Sequence, residues 1–418
     1  MRKAGRYTAA LLLIAVGAAV IMDRFLGMSL TALLIDWWPV LFISLGLEYI
    51  LLNMKYGESE KQLRLDLGGV IFAVLISAVV IGSTQSGTTF NNWFSSINFG
   101  QSFGNPFTSG EGRKFQKETI LIPAGSNIDS ITLENDTNGN VTIVSGSNSQ
   151  VQIEATVYVA LDDEQEAANV ANESKVKSSI SGQTLKLTAE GKNYGNGFWS
   201  TKRPQMDVVI TVPAQLQAKM DIEMTNGRLK ADQLVLRNSF KVRNTNGEIQ
   251  LTGIEADIDM ESTNARVTTM KTKGKMKLQT TNGSIEVADH QGDVQLESTN
   301  GGFTVAGVTG VIIAETTNGS INITEAQQAL TAETTNGTIE VTSHAVNGNW
   351  DLKTNHGDLN LALPASGDYR VKGETRNGHI QNSLPLQIRK NSIEGSIGGG
   401  KHHINLDTRG SITIRAAN

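Results

Sequence analysis

Two kinds of hydrophobic pattern divide this chain. Up to about residue 84 the apolar residues come in unbroken runs, at 8–22, about 38–52 and 67–82, each of near-spanning length. From about residue 117 apolar and polar residues alternate at period two in short segments. Ile120 and Ile122, Ile131 and Leu133, Val141 and Ile143, and Val151 and Ile153 are the first of them. Such alternation predicts half-buried strands. Leu185, Leu187, Val208, Ile210 and Val212 continue it up to Pro213. Only residues 162–177, acidic at the start and ending with Lys175 and Lys177, read as a helix outside the apolar runs.

From about Ile222 the alternation becomes periodic. Thr-Asn-Gly recurs with Asn at 246, 264, 282, 300, 318 and 336, a period of 18 residues in which Ala265 alone replaces Gly. Around each Asn the same inward places are apolar: Met276 and Leu278, Ile285 and Val287, Val294 and Leu296, Phe303 and Val305. Ile312 and Ala314, Ile321 and Ile323, Leu330 and Ala332, and Ile339 and Val341 repeat them. Each repeat is thus two short strands and a turn. Asn-Gly is a hairpin signal, so an antiparallel meander fits the unit. A parallel β-solenoid with one 18-residue coil per repeat explains more, because it stacks identical Thr and Asn residues into ladders. The expected fold is mainly β, a parallel β-solenoid preceded by a three-helix transmembrane region. The expected division is 1–84 transmembrane, 85–113 linker, 114–221 an N-terminal β part with one helix, and 222–418 the solenoid.

Charge places the parts. Arg2, Lys3 and Arg6 precede the first run, and Lys55, Lys61 and Arg64 lie between the second and third. The positive-inside rule then puts the N-terminus in the cytoplasm and everything after residue 85 outside, a multi-pass protein of the cell membrane. The linker carries Phe90, Trp93, Phe94, Phe99, Phe103 and Phe107, which suit contact with lipid headgroups or a partner. Formal charge is −5 overall. No like-charge run points to nucleic acid, and there is no broad attraction for anionic wall polymers. Cysteine is absent, which excludes a disulfide framework.

An 18-residue stack also tests candidate sites. His290 and His344 fall three coils apart, roughly 14 Å at the strand spacing, too far to share one zinc ion. No metal site and no cofactor are expected. Lys275 falls between Asp257 and Asp293, and Lys277 beside Asp259, so part of the Lys271–Lys277 cluster reads as ion-pair ladders. Glu297, Glu315 and Glu333 form a like-charge column, a solvated edge or a weak site for a hard cation. Val311 and Ile313 point outward where other coils are polar and, with Ala329, form an apolar spot that the helix at 162–177 or a partner would cover. If the Gly position of the repeat needs positive φ, Ala265 costs on the order of 1 kcal/mol. Glu48, inside the second apolar run, snorkels or meets a membrane partner. There is no G-x-S-x-G, H-E-x-x-H or phosphate loop, and a non-catalytic protein is expected.

Two resemblances follow from these residues. Residues 9–52, with Asp36-Trp37-Trp38-Pro39 and Leu45-Gly46-Leu47, resemble the membrane region of Lia-type envelope-stress proteins. Residues from about 119 to 414, with Asn138-Gly139-Asn140-Val141, Val209-Ile210-Thr211-Val212-Pro213 and the serial Thr-Asn-Gly repeats, resemble the domain of unknown function 4097 family, whose label denotes an adhesin. The resemblance implies a β-solenoid, a Gram-positive envelope setting and no catalytic residues to transfer. The expected function is an envelope-stress sensor or accessory, with a membrane signalling protein or cell-wall component as partner. The alternative is a surface adhesin or wall-polymer binder, and a polysaccharide-active enzyme is the third reading.

Overall fold

Period-two alternation becomes strands whose apolar side chains are buried inside the coil, while their backbone edges pair with the next coil. The computed structural model describes residues 3–4, 8, 10, 16, 47–48, 64–65, 112–123, 128–195 and 202–417. The chain divides into two units, Met1–Asn105 and Pro106–Asn418.

In the second unit, 27 described strands join in one sheet. Its centre is a parallel β-solenoid. Val294–Asn300 pairs with Ile312–Asn318, and Phe303–Ala306 with Ile321–Thr324, each residue opposite the one 18 further on. The same offset holds from Ser239↔Asp257 to Thr324↔Thr342 and widens to 20 at Met220↔Phe240 and Leu330↔Trp350. All the inward residues expected from Met276 to Val341 are buried. Each large one contributes roughly 1.5–3 kcal/mol by leaving water.

A third buried column, less obvious from sequence, closes the coil: Ile254, Thr272, His290, Val308 and Ala326. It follows a corner at Gln233, Gly253, Lys271, Asp289, Gly307 and Glu325, all with φ between 52° and 65°. One left-handed residue per coil turns the chain there, with Gly at two of the six places and a side chain held against its preference at the others.

Both ends of the stack leave sequence order. Ser130–Asn135 lies between Lys219–Asp232 and Thr184–Glu190, parallel to both. Val141–Gly146 likewise lies between Lys219–Asp232 and Gln205–Pro213. Antiparallel strands Gln150–Val159 and Lys175–Ser181 finish that end. At the other end His402–Thr408 lies between Trp350–His356 and Tyr369–Thr375, and the antiparallel strand Ser392–Ile397 finishes it. The outermost parallel coil is thus a detour, and a neighbouring segment of chain fills the slot beneath it.

The helix is Glu164–Glu173, shorter than 162–177. Asp163 caps it by accepting from the Glu166 N–H at 2.8 Å. Lys175 and Lys177 leave it for strand Lys175–Ser181, which pairs with Thr184–Glu190. The cation at its C-terminal end is Lys117, whose Nζ donates to the Ala171 carbonyl at 2.8 Å. The helix packs on Gln150–Val159 and Arg113–Gln116, several coils from Val311, so it does not cover the apolar spot there.

The first unit corrects the expected three-helix transmembrane region. Among the described residues no helix is long and apolar enough to cross a membrane. The apolar runs, apart from Thr8, Ala10, Val16, Leu47 and Glu48, lie outside the described residues, as does the linker before Gly112. Run length alone does not separate a span from a helix buried in protein. Thr8, Val16 and Glu48 are buried under the protein's own atoms, and Lys3–Ala4 pairs in parallel with Arg64–Leu65. The multi-pass localisation built on those spans is withdrawn with them.

Candidate binding groove

Each Thr-Asn-Gly corner is built from three stacked rows. Asn side chains form the first. Asn226 Nδ2 donates to Asn138 Oδ1, Asn246 to Asn226, Asn264 to Asn246, Asn282 to Asn264, Asn300 to Asn282, Asn318 to Asn300 and Asn336 to Asn318, all at 2.7–2.8 Å. Every bond runs the same way along the stack, which polarises each amide in the same sense. The ladder begins at Asn138 and Asn226, outside the run of 18-residue repeats.

Glycines form the second row. A methyl at Gly283, Gly301 or Gly319 would lie 1.7–2.1 Å from a carbonyl oxygen of the preceding coil. Close stacking therefore disfavours a side chain at these three places, whereas the same place above Gly247 takes Ala265. Ala265 is buried and is not among the described residues at positive φ, so the strain expected from φ does not arise.

The third row is the residue two before each Asn place, which His356 fills in the coil after Asn336. Thr316 Oγ1 donates to the Gly301 carbonyl at 2.9 Å, Thr334 to Gly319 at 3.0 Å and Thr354 to Gly337 at 2.9 Å. In earlier coils that place holds Asn244, Ser262, Thr280 and Ser298. Neither amide atom of Asn244 nor the hydroxyl of any of the other three has a partner, and Asn135 Nδ2 lacks one as well.

Outside these rows the surface is concave. One cavity of about 560 Å³ has Glu134, Glu223, Arg243 and Glu261 on one side and Asp136, Thr225, Thr245 and Thr263 on the other. A second, of about 330 Å³, continues it with Gln279 and Glu297 facing Thr281 and Thr299 and shares Glu261 and Thr263 with the first. Together they make a polar groove along the stacking direction, over six coils.

Of the predicted acidic column only Glu297 lines the groove, and Glu315 and Glu333 continue its row in the coils beyond. Glu297, Glu315 and Glu333 are in register, and the row extends back through Gln279, Glu261 and Arg243 to Glu223 and Glu134. Its repulsion is relieved at intervals. Gln279 donates to Glu297, Gln295 donates to the same carboxylate at 2.7 Å, Lys353 Nζ sits 2.8 Å from Glu333, and Lys186 sits 2.7 Å from Glu134. The Glu333 carboxylate holds Lys353 above the usual lysine range. Arg243 is turned to Asp221 at 3.1 Å.

The other predicted residues do not join the groove. Val311 is 36% exposed and Ile313 half-buried, one coil from Ala329. Glu48 accepts from the Thr8 N–H at 2.9 Å and hydroxyl at 2.6 Å, so its bonding lies within the chain. His290 is a core residue with Nδ1 2.9 Å from the Thr272 hydroxyl, while exposed His344 pairs with Glu325. Among the described residues no group of three or more His, Asp and Glu is arranged to hold a metal ion. Asp257 accepts from the backbone N–H of Lys275 at 2.8 Å, and Asp293 from that of Val311 at 2.9 Å. The aspartates therefore cap open backbone. Around this cluster the lysine pairs are instead Lys273 with Glu255 at 3.8 Å and Lys241 with Asp259 at 4.0 Å.

The groove's threonines and corner polar residues went unremarked as a site in the sequence. Their signal was available: Thr before every Asn, and Asn or Ser in place of Thr at 244, 262 and 298.

A family model described as Toastrack DUF4097 matches residues 128–311 and 311–415. Three solved structures are similar. A candidate cell adhesion protein from Clostridium sporogenes is 14% identical with a TM-score of 0.19, over 73% of this chain and 100% of that one. A candidate adhesin from Bacteroides fragilis is 12% identical with a TM-score of 0.30, over 60% and 98%. Another from Parabacteroides distasonis is 13% identical with a TM-score of 0.29, over 61% and 98%. No curated protein matches the chain. None of these comparisons supports the Lia-type resemblance of residues 9–52.

Proposed function

The chain belongs to the Toastrack DUF4097 family, and from that premise we propose that it is a non-catalytic binding protein, an adhesin or wall-polymer binder, that holds its partner along the solenoid. The observation that carries this reading is the constant register of the outward rows. Carboxylate, amide and hydroxyl groups recur at one coil spacing, roughly 4.8 Å, on a backbone locked by the Asn ladder. A rigid row of this kind meets a polymer with many weak contacts at once. Little ordering cost is paid on the protein side, and affinity accumulates along the chain of contacts. The names of the similar structures agree with this reading but are not its ground.

The envelope-stress role rested on transmembrane helices, and no described residue supports it. The adhesin reading is tested by direct binding. The purified full chain should be retained saturably on isolated cell walls or immobilised host glycans and be released by the same polymer in solution. Absence of retention on every such surface would remove the reading.

A further inference from the structure

We propose that the groove between the Glu134–Glu297 row and the Asp136–Thr299 row is the binding site, and that its ligand is a linear glycan without anionic groups. This rests on the binding reading above and deepens it.

Three observations converge. The first is shape: the two cavities are continuous and cross six coils, five steps of about 4.8 Å, or about 24 Å. That suits an extended polymer better than a compact molecule. The second is chemistry. Apart from Met224, the sides and floor are carboxylate, amide, guanidinium and hydroxyl groups, so recognition here runs through hydrogen bonds. Carboxylates accept from sugar hydroxyls, and threonine hydroxyls both donate and accept. Glu134 is held by Lys186 and Arg243 by Asp221, so Glu223, Glu261 and Glu297, with Asp136 opposite, set the sign of the groove. An anionic polymer would be repelled, whereas a neutral or amino-bearing one would not.

The third observation is the unspent bonding capacity of the floor. Asn135 is 1% exposed, and Asn244 and Thr280 are 5% exposed; all three line the groove and carry polar atoms without partners. Ser262 and Ser298 share the deficit. In the next coils, beyond the two cavities, Thr316, Thr334 and Thr354 are satisfied by glycine carbonyls. The five coils with unpartnered corner atoms all line the groove, and its sixth coil has Met224 at that place. A buried polar group without a partner is costly and calls for an explanation, and a small side-chain rotation toward a ligand hydroxyl supplies one.

The test uses the full chain on an array of linear hexasaccharides: neutral (glucan, mannan, xylan and chitin types), amino-bearing (chitosan type) and anionic (hyaluronan and alginate types). Neutral or amino-bearing hexamers should bind, with the matching disaccharides at least tenfold weaker. The triple variant Thr245→Val, Thr263→Val and Thr281→Val keeps branched, strand-favouring side chains and should weaken binding at least tenfold. Glu261→Gln provides a second, milder variant should the triple fail to fold. Glu286→Gln, Asn322→Ala and Glu340→Gln, on the other wall, should leave binding unchanged. Preference for anionic hexamers, or loss only with the other-wall variants, overturns the groove while the chain remains a glycan binder. Binding to whole cell walls but to no array glycan overturns the ligand class alone. Binding to neither overturns this site and the adhesin reading together.

Discussion

His290 shows how far one side chain's role depends on its coil. It shares a repeat position with His344, three coils away. His290 lies in the third buried column with its Nδ1 against the Thr272 hydroxyl, whereas His344 is exposed and paired with Glu325. Burial holds His290 below the usual histidine range, against the opposing pull of nearby backbone groups and Asp293. A depressed folded-state pKa means that the unfolded chain binds the proton more readily. The stabilising contribution is therefore full above about pH 6.5 and is lost as pH falls below that value toward the folded-state pKa. Urea unfolding should show stability declining below pH 6.5, and His290→Gln should flatten that part of the profile. An unchanged profile in the variant would assign the decline to other groups. Sequence spacing ruled out one metal shared by the two histidines. It could not say which was buried, because that depends on a third column whose members are Ile, Thr, His, Val and Ala. The left-handed corner before it was hidden for a similar reason: Gln, Lys, Asp and Glu outnumber Gly there.

At the scale of the coil, the Thr-Asn-Gly phrase combines a hydrogen-bonding row with a steric row. The Asn row was legible because one residue type recurs at one interval, and stacking follows from the period. The reason for Gly was not legible, since left-handed backbone and close approach both select the residue with no Cβ. Both act along the row, since Gly227, Gly247 and Gly283 have φ of 117°, 145° and 156°, but contact between coils acts alone at Gly301. Gly301 is not at positive φ, yet a methyl there would lie 1.7 Å from the Gly283 carbonyl oxygen. Backbone cannot yield as a flexible side chain can, so Gly301→Ala must push two coils apart and stretch ladder bonds on either side. A loss of about 2 kcal/mol or more is expected, at the upper end of overpacking costs. Denaturant unfolding would measure it, and a variant as stable as the parent would show that the coils are less tightly stacked. The same argument explains the groove's place. Where the residue two before Asn is Thr and reaches the glycine carbonyl, the corner is self-satisfied. Where it is Asn or Ser, and at Thr280, the corner has bonding capacity to spare.

Across the whole second unit, the solenoid was legible and its ends were not. Pairings such as Met276↔Val294 follow the period, but Trp350↔Ile404 spans 54 residues and Tyr369↔His402 spans 33, so no fixed interval reveals them. The apolar runs before residue 84 failed as a guide for a related reason: their length is equally compatible with more than one environment. The threaded ends have a physical purpose. A stack of parallel strands ends in two rows of open backbone groups, which invite pairing with another chain. Here the detour Tyr369–Thr375 carries its own antiparallel cover, Ser392–Ile397, and Tyr369 is anchored by its hydroxyl on the Pro364 carbonyl at 2.5 Å. Burial pushes that phenol up to about 12. His402–Thr408 and Ile412–Ala416 then close the gap between this cap and the body by pairing with Trp350–His356 and Leu359–Leu363. Deleting residues 399–418 should therefore leave the edge at Trp350–His356 open while the cap loses its parallel partner. The shortened chain should self-associate in light scattering and unfold at a lower temperature than the full chain. A monomer with an unchanged midpoint would mean that the cap seals the stack without the final coil, and that threading contributes nothing to keeping the solenoid single.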